Sequence, residues 1–296
     1  MSTPATADLA TTPGVVAIER DIVRVQGADA LSFLQGQLSQ DVEALAGGAG
    51  APSFLLQPTG KVEAWLRVTR LAGDEFVLDV DCGWGEAVVA RLKRFRLRTK
   101  ADLEGARWSG VALRGPGAGA IGWDPPPPGA LRLAASLYGA EAIDVLGPEG
   151  TVVAAGASVV GVGALDALRI ERGVPAMGAE IGEATIPAEL GQAVIDASVS
   201  FTKGCYTGQE LVARIDSRGG NVPRPVRGLL PSAGVAPGDL VTLDGNEVGR
   251  VTSAARSGRL GPIALAVVAR SVEVGATVEV LSSDGPVPAR VSGLPL

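Results

Sequence analysis

The chain has 296 residues, a formal net charge of −6 and no histidine. Without imidazole there is no Ser-His-Asp or Cys-His pair, no His-x-x-x-His zinc site and no histidine acid or base near neutral pH. Two cysteines, Cys82 and Cys205, exclude a four-thiolate zinc or iron–sulfur site within one chain, and the acidic balance argues against a general DNA-binding protein.

Hydrophobic residues make up 46% and charged residues 20%, which describes a folded globular chain long enough for two or three domains or one large one. Only four of the 26 basic residues are lysines, namely Lys61, Lys93, Lys100 and Lys203. The N-terminal stretch has neither a basic n-region nor an apolar h-region. No apolar run approaches the ~20 residues of a membrane span. The expected compartment is the cytoplasm.

Residues 1–14 are polar and read as a flexible tail. Val15 to Val25 alternates as a strand or hairpin, and Gly27-Ala-Asp29 opens a helix. Leu31, Leu34, Leu38, Val42 and Leu45 share one helical face, so the helix is expected to continue to the glycine run at 47–50. A β-meander follows: Ser53–Leu56, a turn at Pro58-Thr59-Gly60, Val62–Leu71, a turn at Gly73-Asp74, and Phe76–Val80. A helix is expected from Gly85, with Val88, Val89, Leu92 and Phe95 apolar. Arg96, Arg98 and Lys100 then alternate with Leu97 and Thr99 as a strand.

Segment 115–130 is glycine- and proline-rich and marks a loop or subdomain boundary. Residues 130–165 carry two or three short strands and room for one helix. Ala164–Arg172 reads as a helix stopped by Gly173. From Val226 onward, short β runs separated by Pro-Gly and Asp-Gly turns describe about six strands of a small barrel. The class is α+β: antiparallel sheets with packed helices over 15–225, and a β-barrel domain over 226–296.

Three motifs carry candidate chemistry. Gly117-Ala-Gly119-Ala-Ile-Gly122 fits G-x-G-x-x-G. It is followed by Trp123-Asp124 and four prolines, which cannot open the helix a dinucleotide site needs, so it reads as a loop. Arg91 to Lys100 holds six basic residues in ten, with Arg94, Arg96 and Arg98 as a candidate anion site. The alternative is a solvated helix end helped by the dipole. In Lys203-Gly204-Cys205-Tyr206-Thr207-Gly208-Gln209-Glu210, a lysine near a thiol is a setting for a lowered thiol pKa. Gly204 and Gly208 allow close backbone approach to a ligand, Tyr206 offers a ring, and Gln209 offers donor and acceptor edges. The alternative is an ordinary turn with a small cysteine.

That octet, preceded by Ser200-Phe-Thr, resembles the motif of the YgfZ-type folate-binding proteins, relatives of the aminomethyltransferase (T-protein) of the glycine cleavage system. Phe33-Leu-Gln-Gly-Gln-Leu-Ser-Gln-Asp41-Val42, Leu55-Leu-Gln57-Pro-Thr-Gly60-Lys61, Leu168-Arg169-Ile-Glu171-Arg-Gly173-Val-Pro175 and Val248-Gly-Arg-Val-Thr252-Ser253 resemble further segments of the same family.

The resemblance implies a T-protein-like fold around a central opening that binds tetrahydrofolate or a one-carbon derivative. It implies a role in iron–sulfur cluster assembly or repair and, through it, tRNA modification. The implied partners are folate and iron–sulfur enzymes or assembly factors, with no membrane, DNA or metal bound by this chain alone. It places Glu171, with Arg169, Tyr206 and Gln209, at the folate, and Cys205 with Lys203 as the reactive pair. The basic run would receive the folate's glutamate tail.

Where the transferases carry a catalytic Asp, Glu86 lies nearest by the resemblance, and Asp79 and Asp81 read equally as strand-end residues, so no Asp has an unambiguous match. The octet differs from the transferases' sequence there, which argues against aminomethyl transfer. A folate-dependent one-carbon transferase is the alternative reading, and an RNA-binding module using the Arg-rich run is the weakest.

Overall fold

The computed structural model describes residues 8–122, 125–148, 159–217 and 219–296. Residues 1–7 of the expected tail, Trp123-Asp124 and residues 149–158 of the 130–165 region lie outside them.

The first strand, β1 (Gly14–Gln26), is one continuous strand rather than a hairpin. It runs at the centre of a seven-stranded sheet of order β2-β3-β4-β1-β5-β7-β6. The others are β2 (Gly50–Leu56), β3 (Val62–Arg70), β4 (Glu75–Val80), β5 (Asp102–Arg114), β6 (Leu131–Ala134) and β7 (Ile143–Pro148). Neighbours pair antiparallel throughout. Strand period 2 gives the sheet two faces. Val23, Val25, Ala64, Leu66, Phe76 and Leu78 share one face and one core. Ile22, Val77, Trp108 and Leu146 pack on the other.

Helices α1 (Ala30–Gln37) and α2 (Gly85–Phe95) contribute to the first core through Phe33, Leu34, Val88 and Leu92. The expected length of α1 is corrected: it ends at Gln37, not near Leu45. Leu38, Val42 and Leu45 still pack into that core, but along an irregular chain. Tertiary partners claim the backbone there. Leu38 bridges Leu55, Ser39 N–H donates to the Phe54 carbonyl, and the Gln35 side chain takes the Val42 N–H.

The alternating 96–100 segment is not a strand. Arg98 has φ +57°, a left-handed conformation that breaks the alternation. Lys100 bonds back to Asp29 at the start of α1 through its N–H and C=O, and β5 begins only at Asp102.

The tail expectation also changes. Residues 8–12 form a turn, and Leu9 is 2% exposed, packed with Val16, Ala112, Ala164 and Leu168.

Helix α3 (Val162–Arg172) stops at Gly173, where φ +67° and the nearby Leu294 side chain exclude a Cβ. Helices α4 (Gln192–Ser198) and α5 (Gln209–Asp216) follow. Six strands then close into a barrel of order β10-β11-β8-β13-β12-β9. They are β8 (Val226–Pro231), β9 (Leu240–Leu243), β10 (Asn246–Ser257), β11 (Gly261–Val268), β12 (Thr277–Ser282) and β13 (Gly285–Ser292). Alternate residues such as Leu229, Val241, Val251, Val280 and Val291 fill it, and closure removes sheet edges. The Asp244-Gly245 turn takes φ +51° and +79°, as a two-residue hairpin requires. The sequence-based expectation of an α+β chain ending in a six-stranded barrel holds.

Candidate functional site

A cavity of about 420 Å³ opens between the second sheet face, α3 and the loop 174–177. The strand period brings five charged side chains to this one face from five different strand positions: Arg20 (β1), Arg67 (β3), Asp79 (β4), Arg114 (β5) and Asp144 (β7). Arg67 and Asp79 stand opposite each other in register. Their bond is two-pronged, Nε to Oδ2 at 2.7 Å and Nη2 to Oδ1 at 3.0 Å. Arg20 donates to Asp79 at 3.1 Å and also reaches Asp81. Asp144 accepts from Arg67 at 2.9 Å and from Arg114 at 2.7 Å.

Burial opposes ionisation of Asp144, but Arg114 and Arg67 overcome it and hold its carboxyl below the ordinary aspartate range. Burial likewise works against the charge on Arg67, and Asp79 and Asp144 outweigh it and push its pKa up. Burial raises the phenol of Tyr138, which sits under the Arg114 guanidinium at 4.4 Å. Buried ion networks of this kind carry a large desolvation cost. The remaining wall includes Trp65, Leu165, Tyr138 and Met177, which suit the faces of a flat ligand. Asp81 and Arg169 stand at its polar edge, and Glu19 and Asp166 also line it.

Arg169 is held from behind. Its Nη1 donates to Glu180 at 3.0 Å and to the Val174 carbonyl at 3.1 Å, and its Nη2 donates to Ser253 at 2.7 Å. The Glu180 side chain is fully buried. It also accepts from Ala176 N–H at 3.0 Å, the Thr252 hydroxyl at 2.7 Å and the Ser253 hydroxyl at 2.6 Å. The barrel therefore holds Arg169 at the cavity both directly, through Ser253, and through the Glu180 carboxylate. A second cavity of about 570 Å³, lined by Gln57, Lys61, Glu63, Trp84 and Glu183 among others, shares Met177 with the first.

The sequence-predicted residues fall in different places. Arg169, Asp79 and Asp81 line the first cavity, while Glu86 lies in the first turn of α2 and does not. Glu171 is buried but turned to the barrel, where Arg259 Nη2 donates to it at 3.2 Å; it does not line the cavity. Arg94, Arg96 and Arg98 lie beyond both cavities, at the C-terminus of α2 and in the loop after it. Arg96 is spent on the Ala101 carbonyl and Asp102.

The octet forms a loop entering α5. Cys205 is exposed, and Tyr206 is buried, which pushes its phenol up to about 12. Gln209 Oε1 accepts the Tyr206 N–H, a local bond at the start of its own helix.

Lys203 does not serve Cys205 as a hydrogen-bond partner. Its ammonium donates to the carbonyls of Gln35, Leu38 and Gln40 at 2.6, 2.8 and 2.8 Å, using all three N–H bonds. Those carbonyls lie at and just past the end of α1, which is why a cation is favoured there. Partial burial lowers this lysine to about 8, against the opposing pull of Asp41 and Glu43.

The glycine expectation is also corrected. A Cβ on Gly208 would lie 2.5 Å from the Gln57 carbonyl oxygen, so this glycine lets the octet seat on the 57–60 turn rather than on a ligand. Gly204 faces open space.

Sequence reasoning missed Arg20, Arg67, Arg114, Asp144 and Glu180. The available signal was one charged residue inside an apolar strand, as in Ala64-Trp-Leu-Arg67-Val and Phe76-Val-Leu-Asp79-Val. Among the described residues, no cluster of three or more Cys, Asp or Glu is placed to hold a metal ion, and no helix is long and apolar enough to cross a membrane.

A seven-stranded antiparallel sheet with a charged cavity on one face, its helices and a closed C-terminal barrel define the glycine cleavage T-protein fold. The glycine cleavage aminomethyltransferase of Bartonella henselae superposes with a TM-score of 0.79 at 21% identity, covering 97% of this chain and 87% of that one. Residues 224–296 match the glycine cleavage T-protein C-terminal barrel domain. An aminomethyltransferase of Rubrobacter xylanophilus is 32% identical over 305 aligned positions, 92% of this chain and 80% of its own.

The tRNA-modifying protein YgfZ of Edwardsiella ictaluri is 30% identical over 67% of this chain and 65% of its own. A mitochondrial iron–sulfur cluster assembly factor, the IBA57 homologue of Mycosarcoma maydis, is 29% identical over 68% and 53%. The chain belongs to the glycine cleavage T-protein family, with YgfZ-type and IBA57-type proteins among its homologues.

Proposed function

We propose that this protein binds tetrahydrofolate in the first cavity and acts as an accessory protein in iron–sulfur cluster assembly or repair, and through it in tRNA modification. The observation that carries the reading is the cavity itself: an aromatic and thioether wall beside a buried polar floor. That combination fits a flat heterocycle with a hydrogen-bonding edge. Trp65, Tyr138 and Met177 would flank the ring, and Asp81 and Arg169 would meet its polar edge. Bound tetrahydrofolate would supply a one-carbon carrier.

The floor argues for holding a ligand over proton transfer. Asp79 and Asp144 each answer two guanidiniums, and Asp144 is held ionised. A carboxylate so stabilised is a poor proton acceptor. The similarity to the tRNA-modifying YgfZ protein and to the iron–sulfur assembly factor IBA57 supports the corresponding part of the reading. In this reading exposed Cys205 is the reactive group, and any cluster is completed by a partner's ligands.

Aminomethyl transfer is the second reading, favoured by the Rubrobacter relative and by Asp81 at the cavity edge. Calorimetric titration with tetrahydrofolate tests both. Saturable binding that weakens in Trp65→Ala is expected, and absence of binding to the folded protein would remove both. Single-turnover assay with methylene-tetrahydrofolate and an amine carrier then separates them, since product formation would establish the transferase.

A further inference from the structure

A third crevice lies where α4 and α5 meet the barrel. It measures about 240 Å³. Its apolar walls come from Ile195, Val212 and Val222, which are buried, and from Phe201, which is 48% exposed. Two guanidiniums line it, Arg227 on β8 and Arg270 in the β11–β12 connection. That connection is fastened to the chain entering the barrel by backbone bonds, Val268 N–H to Pro225 and Arg270 N–H to Pro223.

Neither guanidinium forms an ion pair or side-chain hydrogen bond among the described residues, and Arg227 Nε is buried without a partner. Elsewhere in this chain Arg20, Arg67, Arg114 and Arg169 are answered by carboxylates, and buried Arg91 by the Gln37 side chain and the Leu56 carbonyl, whereas neither crevice guanidinium has a side-chain or carbonyl acceptor among the described residues. Half-buried Arg227 without a counter-charge is costly, and exposed Arg270 adds a second cation at the rim, so the crevice can take an anionic acceptor.

We propose that this crevice binds a small monocarboxylate with an apolar body. The guanidinium fork matches a carboxylate's two oxygens. Among the described residues, the exposed Asp216 also lines the crevice, giving two cations and one anion. A singly charged ligand balances that set, whereas a phosphate dianion would face Asp216. The volume lies below the ~300 Å³ at which drug-sized sites begin, which selects a compact body such as a single ring. The junction between the octet's helices and the barrel is also where such sites recur. This site is separate from the folate cavity and does not depend on the folate reading.

Titration of the full chain with benzoate, benzamide and inorganic phosphate, followed by calorimetry or NMR, tests it. Benzoate is expected to saturate one site, with benzamide and phosphate failing to compete. Arg270→Gln, a change at an exposed side chain, should weaken benzoate about tenfold or more with the melting temperature unchanged. Arg227→Gln should do the same, provided its melting curve shows it folded. No saturable benzoate binding near about 10 mM, equal binding of benzamide, competition by phosphate, unchanged affinity in Arg270→Gln, or displacement of benzoate by tetrahydrofolate would each overturn the proposal.

Discussion

Ser253 on the barrel donates its hydroxyl to Glu180 at 2.6 Å, and the same oxygen of Ser253 accepts from Arg169 at 2.7 Å. The two residues are distant in sequence, yet their contact fixes the arginine at the polar edge of the central cavity. Glu180→Ala would take the buried counter-charge from Arg169, leaving it the Val174 carbonyl, Ser253 and a 3.8 Å contact with the half-exposed Asp166, with an expected loss of about 3 kcal/mol. Glu180→Gln keeps acceptor capacity and should lose less. Urea unfolding measures both, and a Glu180→Ala protein as stable as the parent would refute the role.

Lys203 and Cys205 should separate cleanly. Lys203→Met strips three carbonyls of their donor, and a loss of about 1–3 kcal/mol is expected. Lys203→Arg should recover part of it. Cys205→Ser changes an exposed atom and should leave stability within about 0.5 kcal/mol while abolishing thiol alkylation at that site. A Lys203→Met variant with unchanged thermal stability would show that the α1 end does not need this cation.

Acid sensitivity should come from two paired carboxylates, Asp144 under the cavity and Asp21 at the start of α2. Burial opposes ionisation of Asp144, yet Arg114 and Arg67 lower its pKa in the folded state; Asp21 is lowered as well, with the Gly85 N–H and Arg107 overcoming its burial. The folded protein then binds these protons more weakly than the unfolded chain. The resulting stability is complete above the unfolded value near ~3.9 and is lost as pH falls through the lower folded values. The urea midpoint should therefore fall on acidification below about pH 4, and Asp144→Asn should flatten that fall. Parallel acid limbs in parent and variant would contradict this.

If tetrahydrofolate occupies the first cavity, Arg169→Ala should weaken it more than Glu171→Ala. Arg169 lines the cavity, whereas Glu171 is paired to Arg259 on the barrel side. Replacing Lys93, Arg94 and Arg98 together by Glu should leave folate affinity within about twofold, since none of them lines either cavity. Calorimetric affinities decide the order, and a dominant Glu171 effect would return the ligand to that carboxylate.

Local physics made much of the fold legible. The meander at 53–80, the helix from Gly85, the stop at Gly173 and the closing barrel follow from period 2, period 3.6 and turn chemistry, which need only near neighbours. Where α1 ends was not legible in that way, because strand β2 and a lysine 165 residues from Leu38 take up the backbone groups there. The apparent strand at 96–100 likewise gave way to Arg98's left-handed backbone and the tie between Lys100 and Asp29.

The site divides along the same line. By itself the chain declares what chemistry is missing, above all imidazole, and carries the octet by which it resembles its family. Tertiary structure decided what those residues face. Lys203 serves backbone carbonyls, Glu171 turns to the barrel, and the cavity belongs to Arg20, Arg67, Asp79, Arg114 and Asp144. No local signal announces a partner on another strand: burial makes a lone charge costly, and only the register of the folded sheet supplies the opposite charge that offsets it.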